Sequence, residues 1–177
     1  MVSKRQEPLD LGKLLKKINE AGVKYILVGG MAAVAQGSPV LTFDLDIVHE
    51  RSSNNIKRIK DLLISIDAYQ RRPGDLKLQP DFDALMGTGH MLLSTIYGPM
   101  DLLGAIEKGL GYDDLITNVV SVDFHGFEIH VLDLETLIEL KKESTRPEDK
   151  QRLLILEETL KQILEDEDPE DSPGMGM

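Results

Sequence analysis

The stretch ILVGGMAAVAQGSPVLTFDLDIVHE, residues 26–50, decides how this chain is read. An apolar run closes at a glycine pair, Gly29 and Gly30, and two aspartates, Asp44 and Asp46, stand inside a second apolar run. The first run, VKYILV (23–28), has the β-branched and aromatic content of a strand. MAAVAQG (31–37) reads as a short helix of small residues stopped by Gly37. The run VLTFDLDIVHE (40–50) then alternates. Leu41, Phe43, Leu45 and Ile47 are expected on one face, and Thr42, Asp44, Asp46 and Val48 on the other. With only one face apolar, the aspartates cost the core little.

Residues two apart in a strand project to the same side, so Asp44 and Asp46 point together, roughly 6–7 Å apart at the backbone. Anions that close repel, and burying either is costly unless a cation compensates. The pair therefore suits a hard divalent cation such as magnesium, which takes oxygen ligands. A solvated strand face is the commoner account of a lone Asp-x-Asp, but three neighbours weigh against it. The glycine pair lies between a strand and a helix, where backbone N–H groups can come close to a phosphate. Thr42 shares the polar face and brings a hydroxyl. Asp101, in GPMDLLG (98–104), adds a third carboxylate in an apolar setting. Three carboxylates converging on one edge can hold two metal ions, which activate a nucleophilic oxygen and stabilise a departing pyrophosphate.

The rest of the chain supplies a mixed α/β framework. LGKLLKKINEAG (11–22) places Leu11, Leu14, Leu15 and Ile18 at helical spacing, and SNNIKRIKDLLISID (53–67) is a second amphipathic helix with a serine cap. HMLLSTIYGPMDLLG (90–104) and VVSVDFHGFEIHVLD (119–133) each read as two strands, joined near Tyr97-Gly98-Pro99 and at His125-Gly126. LETLIELKKEST and RPEDKQRLLILEETLKQILE are two helices broken at Pro147. The fold class is α+β, with a βαβ-like first unit, antiparallel additions and closing helices.

Composition narrows the classes further. At 177 residues and 19.7 kDa, residues 1–164 form a single expected domain with enough chain for a core. The formal charge is −11, but residues 165–177 hold six acids and no base, leaving 25 acidic against 20 basic residues elsewhere. That segment reads as an acidic disordered tail. The remainder is only mildly acidic, which argues against broad nucleic-acid affinity and leaves room for a local basic patch. There is no cysteine, so disulfides and thiolate chemistry are excluded. No apolar run approaches membrane-spanning length, and a soluble cytoplasmic protein is the expectation.

The string VGGMAAVAQGSPVLTFDLDI resembles the signature of the DNA polymerase β-type nucleotidyltransferase superfamily: a glycine turn, a short helix, then a strand bearing Asp-x-Asp. With LLSTIYGPMDLL and LDLETLIELKKESTRPEDKQRLLILE, the order is similar to minimal bacterial and archaeal nucleotidyltransferases related to AbiEii-type toxins, over roughly residues 10–160. The resemblance implies a nucleotidyltransferase fold, a small mixed sheet flanked by helices. It implies transfer of a nucleoside monophosphate from a triphosphate to a hydroxyl on a tRNA end, a protein or a small molecule. Asp44, Asp46 and Asp101 would bind magnesium or manganese, with Asp101 helping to deprotonate the hydroxyl. Gly29, Gly30, Thr42, Lys141 and Arg146 would contact the nucleotide, and Asp149 completes a Lys…Arg-x-x-Asp run. An antitoxin partner and a homodimer are further implications. Relatives often carry an apolar residue and a second aspartate after that run, where this chain has Lys150 and Arg152.

Other residues read more plainly. His49 follows the aspartate strand; His90, His125 and His130 share no ligand spacing. Arg71 and Arg72, beside Pro73-Gly74, read as a solvated turn, and Asp81-Phe82-Asp83 as surface. Leu153, Leu154, Leu156, Leu160 and Leu164 are expected to form a core or dimer face. The rival to an enzyme is a non-catalytic nucleotide- or partner-binding module; retention of all three aspartates favours catalysis. A pure scaffold would leave the buried-charge cost unexplained.

Overall fold

The computed structural model describes residues 7–74 and 76–168. Helix α1 (Leu11–Glu20) starts where the Asp10 carboxylate accepts the Lys13 backbone N–H, and it buries Leu14, Leu15 and Ile18. Strand β1 (Tyr25–Val28) runs straight into α2 (Gly29–Ala35), so the glycine pair opens the helix instead of preceding it. After an irregular segment comes β2 (Leu45–His49), then α3 (Ser53–Ser65), capped by Ser52. The short β3 (Tyr69–Gln70) and α4 (Phe82–Met86) lead to the hairpin of β4 (His90–Thr95) and β5 (Gly98–Leu103). A short α5 (Tyr112–Leu115) precedes the second hairpin, β6 (Val119–Phe124) and β7 (Phe127–Leu132). His125 and Gly126 both take positive φ there, as a tight hairpin turn requires. Helices α6 (Leu134–Lys142) and α7 (Pro147–Glu167) close the chain, with Pro147 in the first turn of α7. The expected tail lies outside the described residues from 169 onward, and residues 165–167 end α7.

All seven strands belong to one mixed sheet, ordered β3-β4-β5-β2-β1-β7-β6. The β1–β2 pair is antiparallel, so the first unit is not a true βαβ crossover. Parallel pairing arises instead between β2 and β5 and between β1 and β7. Central strands are covered on both faces: β1 and β5 are buried throughout, and β2 is buried except at Asp46. Helix α2 packs on β1, β2 and β7, and α6 packs between α2 and α7.

The alternation expected from residue 40 starts only at Leu45. Leu41 and Phe43 are 71% and 68% exposed, because the segment before β2 leaves the sheet instead of extending it. Val48, expected beside the aspartates on a polar face, is fully buried. In the closing helix, Leu156 is buried and Leu153 and Leu160 pack partly against the core, while Leu154 and Leu164 are exposed.

Asn55 ties α3 to the sheet. It is 0% exposed, accepts the Lys24 N–H at 2.8 Å, and donates to the carbonyls of Lys24 (3.0 Å) and Glu50 (2.7 Å). These groups flank β1 and β2, and Asn55 joins them from a fully buried side chain. Asn55→Ala removes all three hydrogen bonds and leaves a cavity, and chemical denaturation is expected to show a loss of about 2–4 kcal/mol.

Candidate active site

The register of β2 and β5 sets Asp46 directly beside Asp101 on neighbouring parallel strands. On the other flank, Asp46 pairs with Val28, the residue before the glycine pair. Three segments distant in sequence therefore meet at one point of the sheet. Asp44 lies just ahead of β2, half-buried, close enough for its charge to act on both other carboxylates.

The glycines are there because nothing larger fits. Gly29 has φ +67°, and a β-carbon on it would lie 2.6 Å from Asp46 Oδ2. A β-carbon on Gly30 would lie 2.8 Å from the Thr42 Cβ and Oγ1. The turn thus packs its bare backbone against the two side chains expected to share the site. Gly30, Thr42, Asp44 and Asp46 line a cavity of about 450 Å3, closed on its far side by Glu148, Arg152 and Ile155 of α7.

Burial raises the proton affinity of Asp46, and Asp44 adds to it, while a hydrogen bond from Asp101 and the nearby guanidinium groups oppose it. Burial also pushes Asp101 up to about 7. Arg71 pulls it back, and the charges of Asp46 and Asp44 push it further up. Burial and mutual repulsion thus raise the proton affinity of both carboxyls.

Arg71 forms an ion pair with Asp101 and is held in place by its own backbone N–H, which donates to the Leu92 carbonyl at 2.8 Å. The solvated turn expected for Arg71 is therefore not what the structure shows. Its pairing depends on β3 lying beside β4, which a two-residue strand gives little sequence signal for. Arg152 also stands at the site, donating to the Leu41 carbonyl at 3.2 Å.

Lys141 and Arg146 do not line this cavity. Lys141 Nζ sits 3.2 Å from Asp149, whose other oxygen accepts the Ser144 hydroxyl at 2.6 Å, so the Lys…Arg-x-x-Asp run ties α6 to α7. Arg146 is exposed and lies near Glu148. His49 is fully buried in the core, with Nε2 2.8 Å from the Leu85 carbonyl, and burial lowers its proton affinity.

The carboxylates fit a hard cation by donor type, and Asp46 Oδ1 is buried with no hydrogen-bond partner, as an oxygen reserved for a cation would be. Among the described residues, no three acidic or histidine side chains are gathered closely enough to hold an ion as they stand. Arg71 already holds Asp101.

No family model and no curated protein sequence matches the chain. Among solved structures, it is similar to the lincosamide antibiotic adenylyltransferase LnuA bound to lincomycin, at 16% identity over 85% of this chain and 98% of that one, with a TM-score of 0.53. A candidate nucleotidyltransferase of Thermotoga maritima aligns at 19% identity over 87% of this chain and 89% of its own, with a TM-score of 0.49. The likeness to the adenylyltransferase is one of fold: the mixed seven-stranded sheet flanked by helices is a nucleotidyltransferase fold, as the sequence led us to expect.

Two outcomes follow from the geometry. Gly29→Ala is expected to cost about 1–2 kcal/mol in denaturant melts, since it puts a β-carbon at positive φ, and to displace the Asp46 carboxylate as well. The second concerns pH. Without divalent cation, the folded chain keeps the Asp101 proton to about pH 7, whereas the unfolded chain releases it in the ordinary carboxylate range. Stability is therefore lost as pH rises across that interval. In chelator, wild-type thermal stability should fall relative to Asp101→Asn between about pH 4 and about pH 8. Parallel curves for the two proteins would contradict the raised proton affinity of Asp101.

Proposed function

We propose that the protein is a metal-dependent nucleotidyltransferase, moving a nucleoside monophosphate from a nucleoside triphosphate to a hydroxyl acceptor. The observation that supports this reading is Asp46 beside Asp101 on two adjacent strands, with Asp44 just ahead of β2 and a glycine turn packed against Asp46. An apolar or solvated strand would need neither the carboxylates nor the bare backbone.

In the reaction, the acceptor hydroxyl oxygen attacks the α-phosphorus. The bond from that phosphorus to its bridging oxygen breaks, and pyrophosphate leaves with the electron pair. The hydroxyl proton passes to Asp101, the role the family resemblance implies for it. Asp44 and Asp46, with Asp101, would hold magnesium or manganese. The bound cation would neutralise triphosphate charge and stabilise the departing pyrophosphate. Gly29 and Gly30 would offer backbone amides to the triphosphate, and Thr42 its hydroxyl. Lys141 and Arg146 are carried as phosphate contacts by the family resemblance, and Lys141 would have to leave Asp149 to make one.

A small-molecule hydroxyl is the acceptor we favour, because the fold is matched along nearly the whole length of an adenylyltransferase named for an antibiotic. A tRNA end or a protein hydroxyl, the acceptors of a toxin-like role with an antitoxin partner, are the other classes to try. A nucleotide-binding module without transfer is the second reading, favoured by the hold of Arg71 on Asp101. No described helix is long and apolar enough to cross a membrane, which accords with a cytoplasmic enzyme.

Isothermal titration with each triphosphate and magnesium should show binding by wild type and loss of about tenfold or more in an Asp44→Ala/Asp46→Ala variant. Equal binding by both would count against the site. Transfer of α-phosphate label to one acceptor class separates the enzyme from the binding module.

A further inference from the structure

The cavity at Asp44 and Asp46 has a second wall that the carboxylates and the glycine turn do not explain. Leu41 and Phe43 project from the segment ahead of β2, and Arg152 and Ile155 face them from the first turns of α7. Two large exposed apolar side chains in one cavity wall, next to a carboxylate pair, make an apolar surface whose cover by a ligand would be favourable. The sheet does not cover them, since the strand begins only at Leu45.

The chemistry of this wall is specific. A phenyl ring offers an apolar face on which a planar heterocycle can stack, and such stacking does not depend on base-edge hydrogen bonds. A guanidinium offers paired donors to phosphate oxygens. The carboxylates opposite repel a polyanion, so a triphosphate entering here needs a protein cation as well as a metal. Arg71 is already engaged by Asp101, whereas among the described residues Arg152 has only the Leu41 carbonyl as its hydrogen-bond partner. That bond also holds α7 against the 41–43 segment, so both parts of the wall are positioned together. A space of about 450 Å3 lies within the range of nucleotide-sized sites.

We propose that Phe43 and Arg152 form the nucleotide-recognition wall of this site, Phe43 stacking on the base and Arg152 binding the outer phosphates of a purine nucleoside triphosphate. The inference rests on the nucleotidyltransferase reading and adds to it the ligand's orientation and class. Leu41 and Ile155 flank the ring, and the larger face of a purine covers this apolar surface better than a pyrimidine does. Arg152, which departs from the aspartate common in the resembling toxins, becomes a binding residue of this chain's own.

Calorimetric titration with magnesium present separates the two contacts, using ATP, CTP and inorganic tripolyphosphate as probes. Wild type should bind ATP more tightly than CTP. Phe43→Ala should weaken ATP by about tenfold, as loss of one stacked base implies, and leave tripolyphosphate unchanged. Phe43→Leu should recover only part of the loss. Arg152→Ala should weaken ATP and tripolyphosphate alike, and Arg152→Lys should restore some of both. Both side chains lie at the cavity surface, so melting temperatures near wild type are expected throughout. Wild-type binding that survives both alanine variants unchanged, or a CTP preference, overturns this inference alone. So does a Phe43→Ala loss shared equally by tripolyphosphate. Absence of nucleotide binding by wild type overturns the parent reading and this one with it.

Discussion

Two carboxylates side by side in a sheet repel each other, and each loses water that it would keep on the surface. The pairing of β2 with β5 nevertheless sets Asp46 against Asp101, in a part of the sheet whose other positions are fully buried. Backbone hydrogen bonds and the apolar cover on β1, β2 and β5 hold that register whatever the carboxylates prefer. The resulting strain shows in raised proton affinities, in an oxygen of Asp46 without a partner among the described residues, and in the recruitment of Arg71. Under the proposed function, added positive charge would relieve each of these.

The surroundings conform to the pair. Gly29 and Gly30 are bare because Asp46 and Thr42 press on them. Helix α2 can start at the glycines because β1 ends there, one residue from the Asp46 register position. Helix α7 reaches back across the chain to close the far side through Arg152. A nucleotide bound in this cavity would touch residues from β2, the segment before it, α2 and α7 at once, which couples binding to the packing of the closing helix.

Much of this was legible in the residues themselves. The two hairpins, the capped helix α3 and the break at Pro147 carry local signals: positive-φ turn residues, Ser52 at a helix start, and proline in a first turn. The three aspartates and the glycine turn were visible as apolar runs interrupted by charge. What sequence spacing could not supply was direction and neighbourhood. Alternation pointed Leu41 and Phe43 inward, and only the late start of β2 turns them out. Val48 follows the parity of the aspartates yet is buried, because a central strand is covered on both faces. Arg71 looked like a turn residue because its partner is 30 positions away and is reached only through β3–β4 pairing. The antiparallel β1–β2 pair was likewise invisible, since a strand-helix-strand pattern reads the same in either direction until the sheet is formed.

The central claim is that Asp46 and Asp101 are held together, with raised proton affinity, as a proposed receptor for a divalent cation and a triphosphate. Carboxyl carbon NMR of the aspartates, titrated with and without magnesium and nucleotide, tests it most directly. The account predicts one aspartate carboxyl titrating at about pH 7 in the free protein. It predicts that magnesium with nucleotide drives that titration down into or below the ordinary carboxylate range. Aspartates that all titrate in the ordinary range without cation, or a raised titration that magnesium and nucleotide leave unmoved, would contradict it.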